Sequence, residues 1–464
     1  MKAEKLYLFE KESELKAIFR LALPSIIGQI ILVIYNMADT FFVGLSGSDS
    51  MITAVTMCMP AYMFLTAISN LFGIGGASLI SRSLGAGKQD IAGHVSAFAV
   101  WSCLSVSVLY ALGCFLFLHP FINVLGGAAA PIHREAAKYM LIVIVFGGPV
   151  TAVNTLLSHL IRAEGRSFPA SLGISLGGIL NILLDPLFMF VLLGPGMEVL
   201  GVALATLVSN LSTLVCYAVY LLRHHRNMVF SFRPRRAMLE NGIPKEVLRV
   251  GVPACLMTLF ENISYALLNN RMAFYGPAAQ AGIGVAKKLN MLAHSIVRGM
   301  TQGVLPLIGY NYSSGNHRRM RKIVRYSSLI SISIAVLCMV TCLLFANGLI
   351  RMFIQTAGDS LRFGSTFLRI LCIGAPFSAW AYTVISFFQA TGRTGSALAL
   401  ALLRKGIIDI PLMFLLNTLF KAQGLAAATP AADAVCCVIA VILYTAFMQK
   451  HRHDATENVI PGEG

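Results

Sequence analysis

Apolar residues run along this chain in long stretches separated by short polar breaks. An α-helix needs about 20 such residues to cross a bilayer. Twelve candidate runs can be marked, at 17–45, 51–81, 93–118, 138–160, 168–193, 198–222, 247–275, 279–310, 323–346, 364–390, 396–420 and 424–449. Several exceed a minimal span, so they are expected to tilt or to extend beyond the hydrocarbon. The pattern predicts an all-α polytopic membrane protein of twelve transmembrane helices, with the lipid bilayer as its partner.

The breaks also carry a repeat. Pro24 in FRLALPS matches Pro253 in LRVGVPA, and Gly87 in SLGAGK matches Gly315 in NYSSGN. Gly165-Arg166 in RAEGRS matches Gly392-Arg393 in QATGRT, and GVALAT at 201–206 matches GLAAAT at 424–429. The offset drifts from 229 through 228 and 227 to 223, as it would if short loops had lost residues. Each half holds six helices, so both begin on the same side. That makes the repeat parallel, a pseudo-two-fold about the membrane normal, with a site between the halves suited to alternating access. The expected organisation is an N-lobe at 1–222, a basic cytoplasmic linker at 223–246, a C-lobe at 247–450 and a cytoplasmic tail at 451–464.

Composition agrees with the pattern. Of 464 residues, 57% are hydrophobic and 12% charged, and the mean hydropathy is +0.75. Soluble domains carry about a quarter charged residues, so a water-soluble fold of this length is excluded. The net charge of +16 is a topology signal rather than a nucleic-acid footprint, because the basic residues gather in the short breaks. With the N-terminus inside, 24 of the 36 Lys and Arg fall in cytoplasmic segments, 5 outside and 7 within spans. Both termini are therefore expected in the cytoplasm. The ten cysteines lie mostly inside apolar runs without metal-ligand spacing, which reads as buried, inert thiols and no metal. The mixed-charge N-terminus is not a cleavable signal. No GxxxxGK[ST] loop is present, so ATP does not drive the protein directly, and no cofactor is called for.

Charges inside a bilayer cost at least about 2.5–3.5 kcal/mol at a helix centre, so each requires a reason. The first half carries two acids well inside spans, Asp39 and Asp185. Counted from the cytoplasmic side, both lie about 26–33 Å along their helices, so they can share one pocket. Asn181 lies four residues before Asp185 on the same face. Pro186 follows at once and exposes backbone carbonyls, and Pro24 and Pro186 are expected to bend their helices. Two carboxylates in a low-dielectric pocket cannot easily both ionise, which suits a site that loads and releases a proton or sodium. The second half carries Glu261, Asp409 and Asp433, together with all seven cations that fall within spans. Lys405 and Asp409, four apart, are expected to pair within one helix. Glu261, near mid-depth, either binds a cationic substrate or sodium or is neutralised by Lys287 or Lys288.

Four motifs taken in order resemble the multidrug and toxic compound extrusion (MATE) family over essentially the whole chain. The first span reads ALPSIIGQIILVIYNMADTFFVG, with a proline fifteen residues before an aspartate. LIRAEGRS follows the fourth span, NILLDPLF ends the fifth, and TQGVLPLIGYNYSSGNHRR runs through the eighth in the manner of the MepA-like and DinF-like bacterial branch. The resemblance implies two six-helix lobes around a cleft and a monomer in a bacterial inner membrane. It also implies export of small, amphiphilic, often cationic molecules in exchange for H+ or Na+. Tyr139, Asn154, Asn181 and Thr206 match positions that line the coupling network in that family, although a helix count puts Asn154 nearer the inner side. A glutamate on the seventh helix, here Glu261, binds substrate or sodium in part of the family.

Three other classes compete. A major-facilitator transporter would carry a GxxxDRxGRR-type loop where this chain reads SRSLGAGKQD. A flippase of an anionic lipid-linked substrate suits the basic second half but lacks the MepA-like motifs. An enzyme would need a nucleophile and base, or metal ligands, clustered at one depth, and none is found.

Overall fold

The computed structural model describes residues 3–45, 49–125, 130–194, 196–354 and 358–457. Among them the chain is almost wholly helical and contains no strand. Eight helices are long and apolar enough to cross a membrane, or ten if two bent pairs each count as one span. The bent pairs are Ala130–Phe146 with Gly148–Ala163, at 46°, and Asp359–Cys372 with Ala375–Ala390, at 45°. Two more crossings complete the expected twelve. Thr394–Lys450 is 57 residues long, about 85 Å of helix and nearly three bilayer cores. It breaks at Lys421, where φ is 52° and ψ −133°. Pro277–Ser313, 37 residues, is long enough to cross and owes its weaker hydropathy to Lys287, Lys288 and Arg298. Large apolar side chains such as Leu109, Leu116, Val191, Leu222 and Leu344 stand exposed along these helices, as a surface in contact with lipid requires.

The fourth expected span, 138–160, is not one straight helix. A π-helical stretch, Met140–Phe146, runs into Gly147, and a new helix starts at Gly148-Pro149. Proline at the start of a helix gives up an amide that would have no partner there. Around Pro24 the helix Glu14–Leu45 continues without a break. At Pro186 the α-helix Ser167–Pro186 gives way to a π-helical turn, Leu187–Leu192.

The chain divides into two compact units. The first comprises 1–263, 291–327 and 389–394. Within it the helix Glu14–Leu45 packs on Ser167–Pro186 through Gly28 against Ser171 and Gly178 against Ile31 and Tyr35. Met59–Gly85 and Ile243–Ala273 meet backbone to backbone. A Cβ on Gly75 would overlap the Val247 carbonyl, and one on Gly251 the Leu71 carbonyl, so only glycine permits this approach. An apolar cluster in this unit includes Leu65, Ile122, Tyr139, Met140, Ile144, Met189 and Val202. The basic stretch after the sixth span is not helical over 228–235. The Val229 amide donates to Glu164 Oε1 at 3.1 Å, the Ser231 amide to Ser96 Oγ at 3.0 Å, and Trp101 Nε1 to the Phe232 carbonyl at 2.9 Å.

The second unit comprises 264–290, 328–388 and 395–464. Its core gathers Leu268, Met272, Ile283, Ala346, Phe367, Leu368, Met413 and Leu425. Tail residues 458–464 lie outside the described residues.

Candidate functional site

Asp39 and Asp185 come from helices that pack together in the first unit, and their carboxyl groups face one another within hydrogen-bonding range. Asp185 is fully buried. Asn181 Nδ2 donates to Asp185 Oδ1 at 3.3 Å and to Thr206 Oγ1 at 3.4 Å, so it ties the fifth span to the sixth. Two acid oxygens, Asp39 Oδ1 and Asp185 Oδ2, are buried with no hydrogen-bond partner, as is Asn181 Oδ1. Buried polar atoms in folded proteins nearly always have partners. An array of unmet acceptors between two acids is therefore a place for a proton or a small hard cation. Among the described residues no group of three or more His, Cys, Asp or Glu could hold a metal ion.

The other expected members divide. Tyr139 is buried and close to both aspartates. Asn154 is not among the groups bonded to the pair. Its Nδ2 donates to the Asn210 carbonyl at 2.8 Å and its Oδ1 has no partner. That places it one helical turn beyond Thr206, in the direction the helix count indicated. Tyr35 and Tyr62, whose hydroxyls are 3.3 Å apart, also lie close to Asp39. Tyr35 precedes Asp39 by one turn, which was a readable sign. Nothing in the sequence pointed to Tyr62, since no spacing links two separate helices.

Glu261 forms an ion pair with Arg298 of the next helix, in the part of that helix belonging to the first unit. A cation therefore does meet Glu261, and Arg298, which the sequence reading did not single out for this role, supplies it. In the second unit Lys405 Nζ lies 3.8 Å from Asp409 Oδ2, as the four-residue spacing predicts. Ser264 Oγ donates to the same oxygen. Arg404 Nε meets Asp433 Oδ1 at 2.7 Å, and its guanidinium carbon sits 4.0 Å from the centroid of the Tyr382 ring. All four charged groups of these two pairs are buried.

A multidrug export protein, MepA, of Staphylococcus haemolyticus is 29% identical over 446 residues, 96% of each chain. A MepA of Staphylococcus aureus is 28% identical over 458 residues, covering 98% of this chain and 99% of its own. A solved structure described as an outward-facing multidrug resistance MATE family transporter of the MOP superfamily superposes with a TM-score of 0.87. It is 24% identical, over 98% of this chain and 100% of its own. The MatE family model matches twice, at residues 24–187 and 253–415, so each half of the internal repeat carries one copy. The chain belongs to the MatE family.

Proposed function

We propose that this protein is a secondary active multidrug exporter that expels amphiphilic, mainly cationic compounds by alternating access, in exchange for protons or sodium. The observation that carries the reading is the facing Asp39–Asp185 pair with its unmet oxygens, held by Asn181 and Thr206. The pair would be neutralised by a proton or a cation loaded from outside and would empty toward the cytoplasm. Such a cycle lets one lobe's occupancy bias a two-state equilibrium. Tyr139, Tyr35 and Tyr62 would line the approach. The two six-helix lobes would be 1–222 and 247–450, joined by 223–246, in a monomer in a bacterial inner membrane with both termini cytoplasmic. The kinship with exporters points to a transport role and assigns no catalysis.

The alternative, flipping of an anionic lipid-linked substrate, drew on the basic second half. Arg404, Lys405 and Arg298 each have an acidic partner, so much of that charge is answered within the protein. These are three of the seven cations within spans, so the argument for an anionic substrate is weakened to that extent.

The test is transport in proteoliposomes with an imposed pH gradient and, separately, a sodium gradient. Ethidium and an anionic dye serve as substrates for the wild type, Asp39→Asn and Asp185→Asn. Gradient-driven ethidium movement that falls to liposome background in both variants is expected. Undiminished activity in both would overturn the coupling site and turn attention to Glu261. Movement of the anionic dye alone would favour the flippase.

A further inference from the structure

The buried pair Lys405–Asp409 stands, by the internal repeat, where the Asp185 site stands in the first half. The repeat offset falls from 227 at Gly165 and Gly392 to 223 at Gly201 and Gly424, and the step from Asp185 to Asp409 is 224. Each aspartate sits beside a π-helical turn and a proline. Asp185 precedes Pro186 and the turn Leu187–Leu192, while Asp409 follows the turn Leu403–Ile407 and precedes Pro411. Both copies of the family model end a few residues past these aspartates.

The surroundings of the two acids differ in one chemical respect. Asp185 faces a second acid, Asp39, and each keeps an oxygen without a partner. In the seventh span the 229 offset puts Leu268 at the position of Asp39, so no second acid is supplied there. Asp409 instead receives the Ser264 hydroxyl and the Lys405 ammonium on Oδ2, while its Oδ1 has no partner. Consecutive residues of an α-helix point about 100° apart. The wider turn at Leu403–Ile407 nevertheless buries both Arg404 and Lys405, each against its own acid.

We propose that the Lys405 ammonium is a tethered substitute for a coupling cation. The site at Asp409 is the counterpart of the site at Asp185, permanently filled by the protein itself. It takes no proton or sodium during transport, and the exporter works with one exchangeable cation site rather than two. Lys405 is thus a specificity-determining residue that sets the number of cations exchanged. The comparison with Asp185 rests on the proposed role of the Asp39–Asp185 pair, whereas the charge compensation at Asp409 does not.

The experiment reads melting temperature of the purified full-length protein, so a failure of the transport reading leaves it intact. Lys405→Ala leaves a buried carboxylate without its cation, and its melting temperature should fall by roughly 5 °C or more. Sodium chloride or n-propylammonium chloride should restore it saturably, where choline chloride at the same ionic strength does not. The double variant Lys405→Ala/Asp409→Asn should recover most of the loss with no added cation and should not respond to sodium or propylammonium. A Lys405→Ala protein indifferent to which cation is present would overturn the proposal, because a mere helix-locking ion pair predicts no such rescue. A double variant no more stable than the single one would overturn it as well. If Lys405→Ala does not accumulate, recovery of yield in the double variant supports the compensation, and equal failure of the two refutes it.

Discussion

A carboxylate inside an apolar helix keeps its place only if its oxygens are answered. Asn181 answers one oxygen of Asp185 and is itself placed by Thr206. Removing a donor from a buried acceptor costs about 1–3 kcal/mol, more than the bond's own net worth. Asn181→Ala should therefore destabilise the protein by about 1–2 kcal/mol. Thr206→Val, which leaves the acid's own bond in place, should cost less than about 1 kcal/mol. Denaturation of the two purified variants in one detergent checks the order, and a Thr206 variant weaker than the Asn181 variant would contradict it. The acids themselves were legible because a charge in a long apolar run stands out, and their equal depth followed from counting residues. The Arg298 contact of Glu261 was not legible. Arg298 lies 37 positions away in the chain, and only the packing of two helices brings it near. Spacing arguments reach Lys405 and Asp409 because both ride on one helix, and they stop there.

At the scale of helices, hydrophobic runs located all twelve crossings but not their internal breaks. The Met140–Phe146 turn carries no polar residue, so hydropathy alone does not reveal it; only the Gly147-Gly148-Pro149 run that follows marks the break. The change after Asp185 was partly signalled, since Pro186 withdraws an amide from the ladder. Glycines carry a second kind of information, and the sequence does not distinguish a glycine needed for contact from one that merely occurs. Gly251 lies against the Leu71 carbonyl, whereas Gly113 has nothing within 4 Å of an added Cβ. Gly251→Val should push Met59–Gly85 away from Ile243–Ala273 and cost about 3 kcal/mol or more, above the usual 1–3 for overpacking, because the obstacle is backbone. Gly113→Ala should instead stabilise by roughly 0.5–1 kcal/mol, by narrowing the unfolded chain's freedom at no steric cost. Thermal melts of both variants decide it, and like-signed shifts would refute this account of the packing.

For the whole molecule, orientation follows from where the basic residues lie rather than from how many there are. Lys and Arg placed 24 against 5 across the two sides leave the opposite topology with a large excess of charge to translocate. An even number of crossings would put both ends of the chain on one side. The expectation depends only on loop membership, which survives errors of several residues in each boundary. Two exposed positions test it in intact cells. Gly194 sits in the break between the fifth and sixth spans, and Arg235 in the long basic stretch after the sixth. Five of the ten native cysteines, Cys58, Cys103, Cys114, Cys372 and Cys436, are buried, so a background without introduced cysteine is a usable control. With a membrane-impermeant maleimide, Gly194→Cys should label in intact cells and Arg235→Cys only after permeabilisation. The reverse result would put both termini outside. It would also turn the proposed direction of cation loading around, because the helix count places Asp39 and Asp185 by distance from the N-terminal side of the membrane.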